Sequence, residues 1–384
     1  MNHVLRGMTR MSLAAAILAL SAGGVSAQQV QVFAGSNDSP NTLISAAFVS
    51  PTMTYLAETP TGGTTTGGTT TLAFNQTRIF ASTSGCSLLA NTNNGSDNVS
   101  IWVINASGSL TAVPGSPFAT GAGTQSLAWA PDGSALYVPL AVAGASNVVT
   151  FAVSCTPGGG APAVTNAGTV ALAGFNLLRD AEVIGAGAGT HLCVTGTNSN
   201  NVGCFALTAG IPATTAVNTI AVTNVRGMRI AGNNCGIAGV GNANTVQGFS
   251  VSAGGTITAT NTAATTTNPR YGAISDDGTL AAFGGFGTQF TLMSVNAACS
   301  LTTVGSNVGP VGSLVEYMAF DEDNRLFVSD SLANQIRVFT PTAGGIGAAV
   351  STSTTNHGTI NAPGGIDIAR LSTLPVELLQ YSVD

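Results

Sequence analysis

Residues 126–138 read "SLAWAPDGSALYV" and residues 271–283 read "YGAISDDGTLAAF". Each is a short apolar run, a tight turn built on Asp-Gly, and a second apolar run. That order is a strong hairpin signal. "YMAFDEDNRLFV" at 317–328 repeats it, and weaker copies are "TLAFNQTRIFA" at 71–81, "DAEVIGAGAGTHLCV" at 180–194 and "GMRIAGNNCGIAGV" at 227–240. A truncated copy, "GGIDIARLSTLPVELL", starts at Gly364. A fixed spacing of about 45 to 55 residues marks a repeat architecture in which each unit buries its apolar face against the next.

A second pattern lies between these copies. It opens on a small polar residue and closes, four positions on, on an aromatic residue or Met. The polar column is Gln29, Asn98, Asn147, Asn201, Thr245, Gln289 and Gln335, and the closing column is Phe33, Trp102, Phe151, Phe205, Phe249, Met293 and Phe339. A Thr/Val-rich stretch such as "GSLTAV" follows each one and reads as a fourth strand. Seven units of four short strands predict an all-β, seven-bladed β-propeller. The chain starts within one unit, with a third-strand motif at Gln29, and ends after a first and second strand. The two ends therefore pair in one blade, which closes the ring and removes open sheet edges. A single domain, 28–384, is expected. Within it, 51–70 contains "PTGGTTTGGTT" and reads as a low-complexity loop.

Composition narrows the function classes. Charged residues are 7 % of the chain, against roughly 25 % in average soluble domains. There is no lysine, and hydrophobic residues reach 44 %. The first 27 residues carry Arg6 and Arg10, an apolar run from Leu13 to Leu20, and small residues ending at Ala27. This pattern predicts a secretory signal peptide, with a soluble mature chain in the periplasm, at the cell surface or outside the cell. Without Arg6 and Arg10, eight arginines face sixteen acids, a formal charge of −8. That excludes nucleic acid and membrane insertion as expected modes of action. Six cysteines in the exported part predict disulfides. Cys193 and Cys204 flank a turn symmetrically and are expected to pair. The pairing of Cys86, Cys155, Cys235 and Cys299 stays open. No cofactor or metal motif is present.

Residues 108–138, "GSLTAVPGSPFATGAGTQSLAWAPDGSALYV", resemble a repeat of the secreted lactonase-type propellers, the group related to prokaryotic 6-phosphogluconolactonase and the YVTN-repeat surface proteins. The resemblance is strong over this blade and periodic over the rest. It implies the propeller fold and, as an expectation, lactone chemistry. In such lactonases Pro-Arg-His often precedes the first strand of a blade. Here "NPRYGAISDDG" keeps the arginine as Arg270 and has Tyr271 in place of the histidine.

Taking the residue that enters each first strand gives a column of Thr70, Gln125, Arg179, Arg226, Arg270, Glu316 and Gly364. Three of eight arginines thus fall on adjacent blades near one mouth of the channel, beside Asp180, Glu182, Arg229 and Tyr271. In one reading, Arg179, Arg226, Arg270, Tyr271 and Arg229 bind a small anion such as a sugar acid, lactone or carboxylate. In a second, Glu316 or Asp180 also acts as a general base on a lactone. In a third, the arginines pair with Asp180, Glu182 and Glu316 between blades. The function expected first is a non-catalytic binding or scaffold protein. A lactonase-like hydrolase and a self-associating subunit of an extracellular assembly are the alternatives.

Overall fold

The computed structural model describes residues 29–36, 39–64, 76–80, 86–155, 160–265, 268–285, 287–308, 314–354 and 363–370. The leader read at 1–27 lies outside the described residues, as do 65–75 and the end of the chain, 371–384. Seven antiparallel sheets form a ring. We number the blades from the first complete one. Their inner strands are Thr77–Phe80, Ala128–Trp129, Leu178–Ile184, Val225–Ile230, Pro269–Ile274 and Val315–Phe320 for blades 1 to 6. Pro363–Arg370 serves blade 7. The residues entering each inner strand lie on the upper face of the ring, and the inner hairpin turns lie on the lower face.

Seven apolar clusters account for the repeat. Each is made mainly by two neighbouring blades, as with Leu136 and Phe151 of blade 2 against Leu88 and Ile101 of blade 1. The closing column supplies their bulk. Trp102, Phe151, Phe205, Phe249, Met293 and Phe339 are all buried on third strands. Burying such a side chain is worth about 1.5–3 kcal/mol, so each interface rests on a few large residues.

The ring closes between the chain ends, but it divides differently from the expected two strands from each. Val30–Ser36 pairs with Pro363–Arg370 on one side and with Thr42–Val49 on the other. The C-terminal part supplies one strand and the N-terminal part three. Gln29–Phe33 therefore leads into the second strand of blade 7, not its third. All seven residues of Val30–Ser36 are buried, as second strands are elsewhere, because both faces are covered. Thr52–Pro60, within the segment read as a loop, is the outer strand of this blade.

With few charges available, neutral groups tie the blades together. Asn218 on the outer strand of blade 3 grips the backbone of Ile257 on blade 4. Its amide donates to the Ile257 carbonyl at 2.8 Å and its oxygen accepts from the Ile257 N–H at 2.7 Å. Asn261 repeats this on Leu301 of blade 5, at 2.8 and 2.7 Å. The side-chain amide imitates a peptide group and occupies part of an exposed edge. Cys86–Cys155 joins blades 1 and 2, and Cys235–Cys299 joins blades 4 and 5. Cys193 and Cys204 are direct cross-strand partners in blade 3 and are bonded.

Candidate functional site

The inner strands carry a shared irregularity. Register breaks between Leu178 and Ala181 in blade 3, Val225 and Met228 in blade 4, Pro269 and Tyr271 in blade 5, and Val315 and Tyr317 in blade 6. The residues in these breaks are the sequence column: Arg179, Arg226, Arg270 and Glu316. A bulge re-aims a side chain out of the pleat and is over-represented next to active sites. Four successive bulges thus present one position of four blades at the upper mouth. The Glu316 side chain lies outside the described residues.

The arginines are close together. Arg179 donates through Nη1 to Gln125 Oε1 of blade 2. Burial lowers the pKa of Arg226, and the charges of Arg179 and Arg270 on either side lower it further. Its Nε is buried with no hydrogen-bond partner. Arg270 is only 7 % exposed. Gly227 allows this spacing, since a Cβ there would run into the Arg270 carbonyl oxygen and the Tyr271 ring. Tyr271 stacks on Tyr317 with ring centroids 4.5 Å apart. Three like charges in one half-buried mouth attract an anion.

Directly beneath, the channel is plugged. Asp180 is fully buried and takes hydrogen bonds from Gln76 Nε2 at 3.1 Å, Ser126 Oγ at 2.7 Å, Ala181 N at 3.0 Å, Met228 N at 2.8 Å and Arg229 Nη1 at 2.8 Å. Its donors come from blades 1, 2, 3 and 4. Arg229 also lies 3.3 Å from Glu182. Arg78 of blade 1 reaches Glu182 of blade 3 at 2.6 Å. Asp367 of blade 7 accepts from the Ile79 N–H at 2.8 Å. Burial raises the pKa of Glu182 against the pull of Arg78 and Arg229, and raises that of Asp367 against Arg78. Burial opposes the charge on Arg78, but Glu182, Asp180 and Asp367 outweigh it and raise its pKa.

The other expected residues lie in this floor. The Asp180 carboxylate accepts from five donors. Arg229 serves the same floor through Asp180 and Glu182. Of the acids expected to pair with Arg179, Arg226 and Arg270, Asp180 pairs with Arg229, and Glu182 with Arg78 and Arg229. Arg78 and Asp367 escaped the sequence reading. "TLAFNQTRIFA" reads as a whole hairpin, whereas Thr77–Phe80 is the inner strand and Ser87–Asn93 the second. By register, Gln76 of blade 1 stands level with Ser126 and Asp180, so the column position of blade 1 is 75, not Thr70, and lies outside the described residues. His191 pairs with Ile184 at the lower end of blade 3, far from the mouth.

The fold is that of the lactonase-type propellers. No protein-family profile and no curated protein sequence matches the chain. Among solved structures, a candidate 6-phosphogluconolactonase from Bacteroides fragilis is 14% identical, with a TM-score of 0.69 over 90% of this chain and 99% of that one. A periplasmic gluconolactonase from Pseudomonas aeruginosa is 14% identical, with a TM-score of 0.65 over 89% and 99%. A protein of unknown function from Desulfotomaculum acetoxidans is 15% identical, with a TM-score of 0.66 over 89% and 99%.

Proposed function

We propose that this protein is an exported propeller that binds a small anion, a sugar acid or other carboxylate, at the upper mouth without turning it over. The observation behind the reading is the bulge position repeated on adjacent blades, which sets Arg179, Arg226 and Arg270 around one opening above a closed floor. Guanidinium forks suit carboxylate and phosphate oxygens. Tyr271 and its stacked partner Tyr317 are buried alongside and hold the strand that carries Arg270. Three disulfides fit an oxidising compartment, the periplasm or the cell exterior.

A second reading is a lactone hydrolase, favoured by the names of two fold neighbours and by Glu316 at the bulge of blade 6. Both readings are tested on residues 28–384 by calorimetric titration with gluconate and 6-phosphogluconate, alongside hydrolysis of glucono-lactone. Binding that Arg226→Ala abolishes, with hydrolysis at the buffer rate, is the expected result. Hydrolysis above buffer that Glu316→Gln removes establishes the second reading. Neither binding nor hydrolysis overturns both.

A further inference from the structure

On the lower side, between blades 2 and 3, lies a cleft of about 310 Å³. It is far from the arginine mouth, since Gly189 on its rim belongs to the lower hairpin turn of blade 3. Its walls come from Ala135, Thr150 and Ala152 of blade 2 and Ala188, Leu207 and Ile211 of blade 3. No charged residue lines it.

Strand register explains why it is empty of side chains. Ala135 precedes the residue that faces the closing-column Phe151. The corresponding residues in other blades are Leu88, His191, Cys235 and Leu280, all larger. Thr150, just before Phe151, stands where blades 1, 5 and 6 have Ile101, Leu292 and Val338. This corner lacks the bulk that Leu88 and Ile101 supply in blade 1 and Leu280 and Leu292 in blade 5, although protein interiors generally leave few such voids. Thr150 also faces Tyr137, whose hydroxyl donates to the Gly210 carbonyl at 2.9 Å and so bridges the two blades across the cleft.

The Thr150 hydroxyl marks the polar point. Thr150 is 2 % exposed, and its Oγ1 has no hydrogen-bond partner. Buried hydroxyls are nearly always paired, because an unpaired one forfeits its hydration with nothing in return. Thr150 thus brings an unpaired hydroxyl to a mainly aliphatic cleft that also has Ser134 on its wall.

We propose that this cleft binds an uncharged, mainly aliphatic molecule with one hydroxyl or carbonyl oxygen, which bonds to Thr150. The volume equals that of about ten waters in bulk and lies at the low end of ligand pockets, so a chain of about six to eight carbons fills it. The absence of charge from the lining excludes the anions proposed for the upper mouth, and this site stands independently of that reading.

The test is methyl NMR of alanine-labelled protein, residues 28–384, titrated with 1-octanol. Saturable shifts are expected at the Ala135, Ala152 and Ala188 methyls, with the upper face unmoved. Ala152→Leu fills the cleft and should abolish them. Thr150→Val keeps the volume and should weaken 1-octanol about fivefold while leaving n-heptane unchanged. Ala135→Val is the second filling variant, should Ala152→Leu not fold. Shifts that never saturate, that spread over the whole protein, or that persist in the filled variant overturn the proposal.

Discussion

Arg78→Met tests whether the channel floor is one ionic unit. Arg78 lies 2.6 Å from Glu182, and both side chains are less than one-fifth exposed. The described floor holds two arginines, Arg78 and Arg229, against Asp180, Glu182 and Asp367. Removing one arginine leaves three buried carboxyls facing one positive charge. Breaking a buried pair from one side costs about 3–5 kcal/mol. At about 2.1 cal/mol/K of unfolding entropy per residue, a chain of this length loses roughly 1.2 °C of Tm per kcal/mol, so a fall of roughly 4–6 °C is expected. Methionine retains the stem's packing, which confines the change to charge. The assay is calorimetric melting of wild type, Arg78→Met, Glu182→Gln and the double variant. The double variant should recover part of the loss, because it removes Arg78 together with the carboxylate it pairs with. A fall of under 1 °C for Arg78→Met, or a double variant no better than the single, would refute the reasoning.

Three further outcomes are expected. Glu182 and Asp367 have raised pKa values in the folded protein. A raised carboxyl contributes stability that is complete below its unfolded value, about 4, and is lost as pH rises through the folded value. Tm at fixed salt should therefore fall from about pH 4 upward, and Glu182→Gln should reduce that slope to the part due to Asp367; a slope unchanged by the substitution rejects the assignment. Replacing Cys235 and Cys299 by Ala opens a bridge spanning 64 residues. The loss should be about 4 kcal/mol, or roughly 5 °C, read as a shift in the same melts. Asn261→Ala strips both hydrogen bonds from Leu301, which is 3 % exposed, and should cost about 1–3 kcal/mol, measured by denaturant titration.

The propeller is readable in the sequence because each blade must repeat the same burial pattern. Large residues at Phe151, Phe205 and Phe249 recur wherever a third strand meets its neighbour. Reading failed where two strands satisfy one pattern. "QVQVF" at 29–33 matches "QIRVF" at 335–339, yet the first leads a second strand and the second is a third strand. Alternation alone does not say how many strands lie outside a given one. The same ambiguity in blade 1 moved the column from position 75 to Thr70 and hid Arg78. The arginine column itself was legible because three bulges fall at one repeat position. The plug was not, because Arg78, Asp180 and Asp367 are far apart in sequence and meet only across the closed ring.

The division of blade 7 also sets an order of events. Its outer three strands, within residues 30–60, are made first, and its innermost strand, 363–370, is the last described segment to be made. Until that strand arrives, Val30–Ser36 presents an unpaired edge, and the floor lacks Asp367. Joining ends this far apart carries a loop-closure cost that grows only slowly with length, so distance is no great obstacle. Timing is the vulnerability: a newly made chain waits as an open arc, able to accept the same strand from a second chain. Ring closure is therefore the step that covers the Val30–Ser36 edge and completes the floor together.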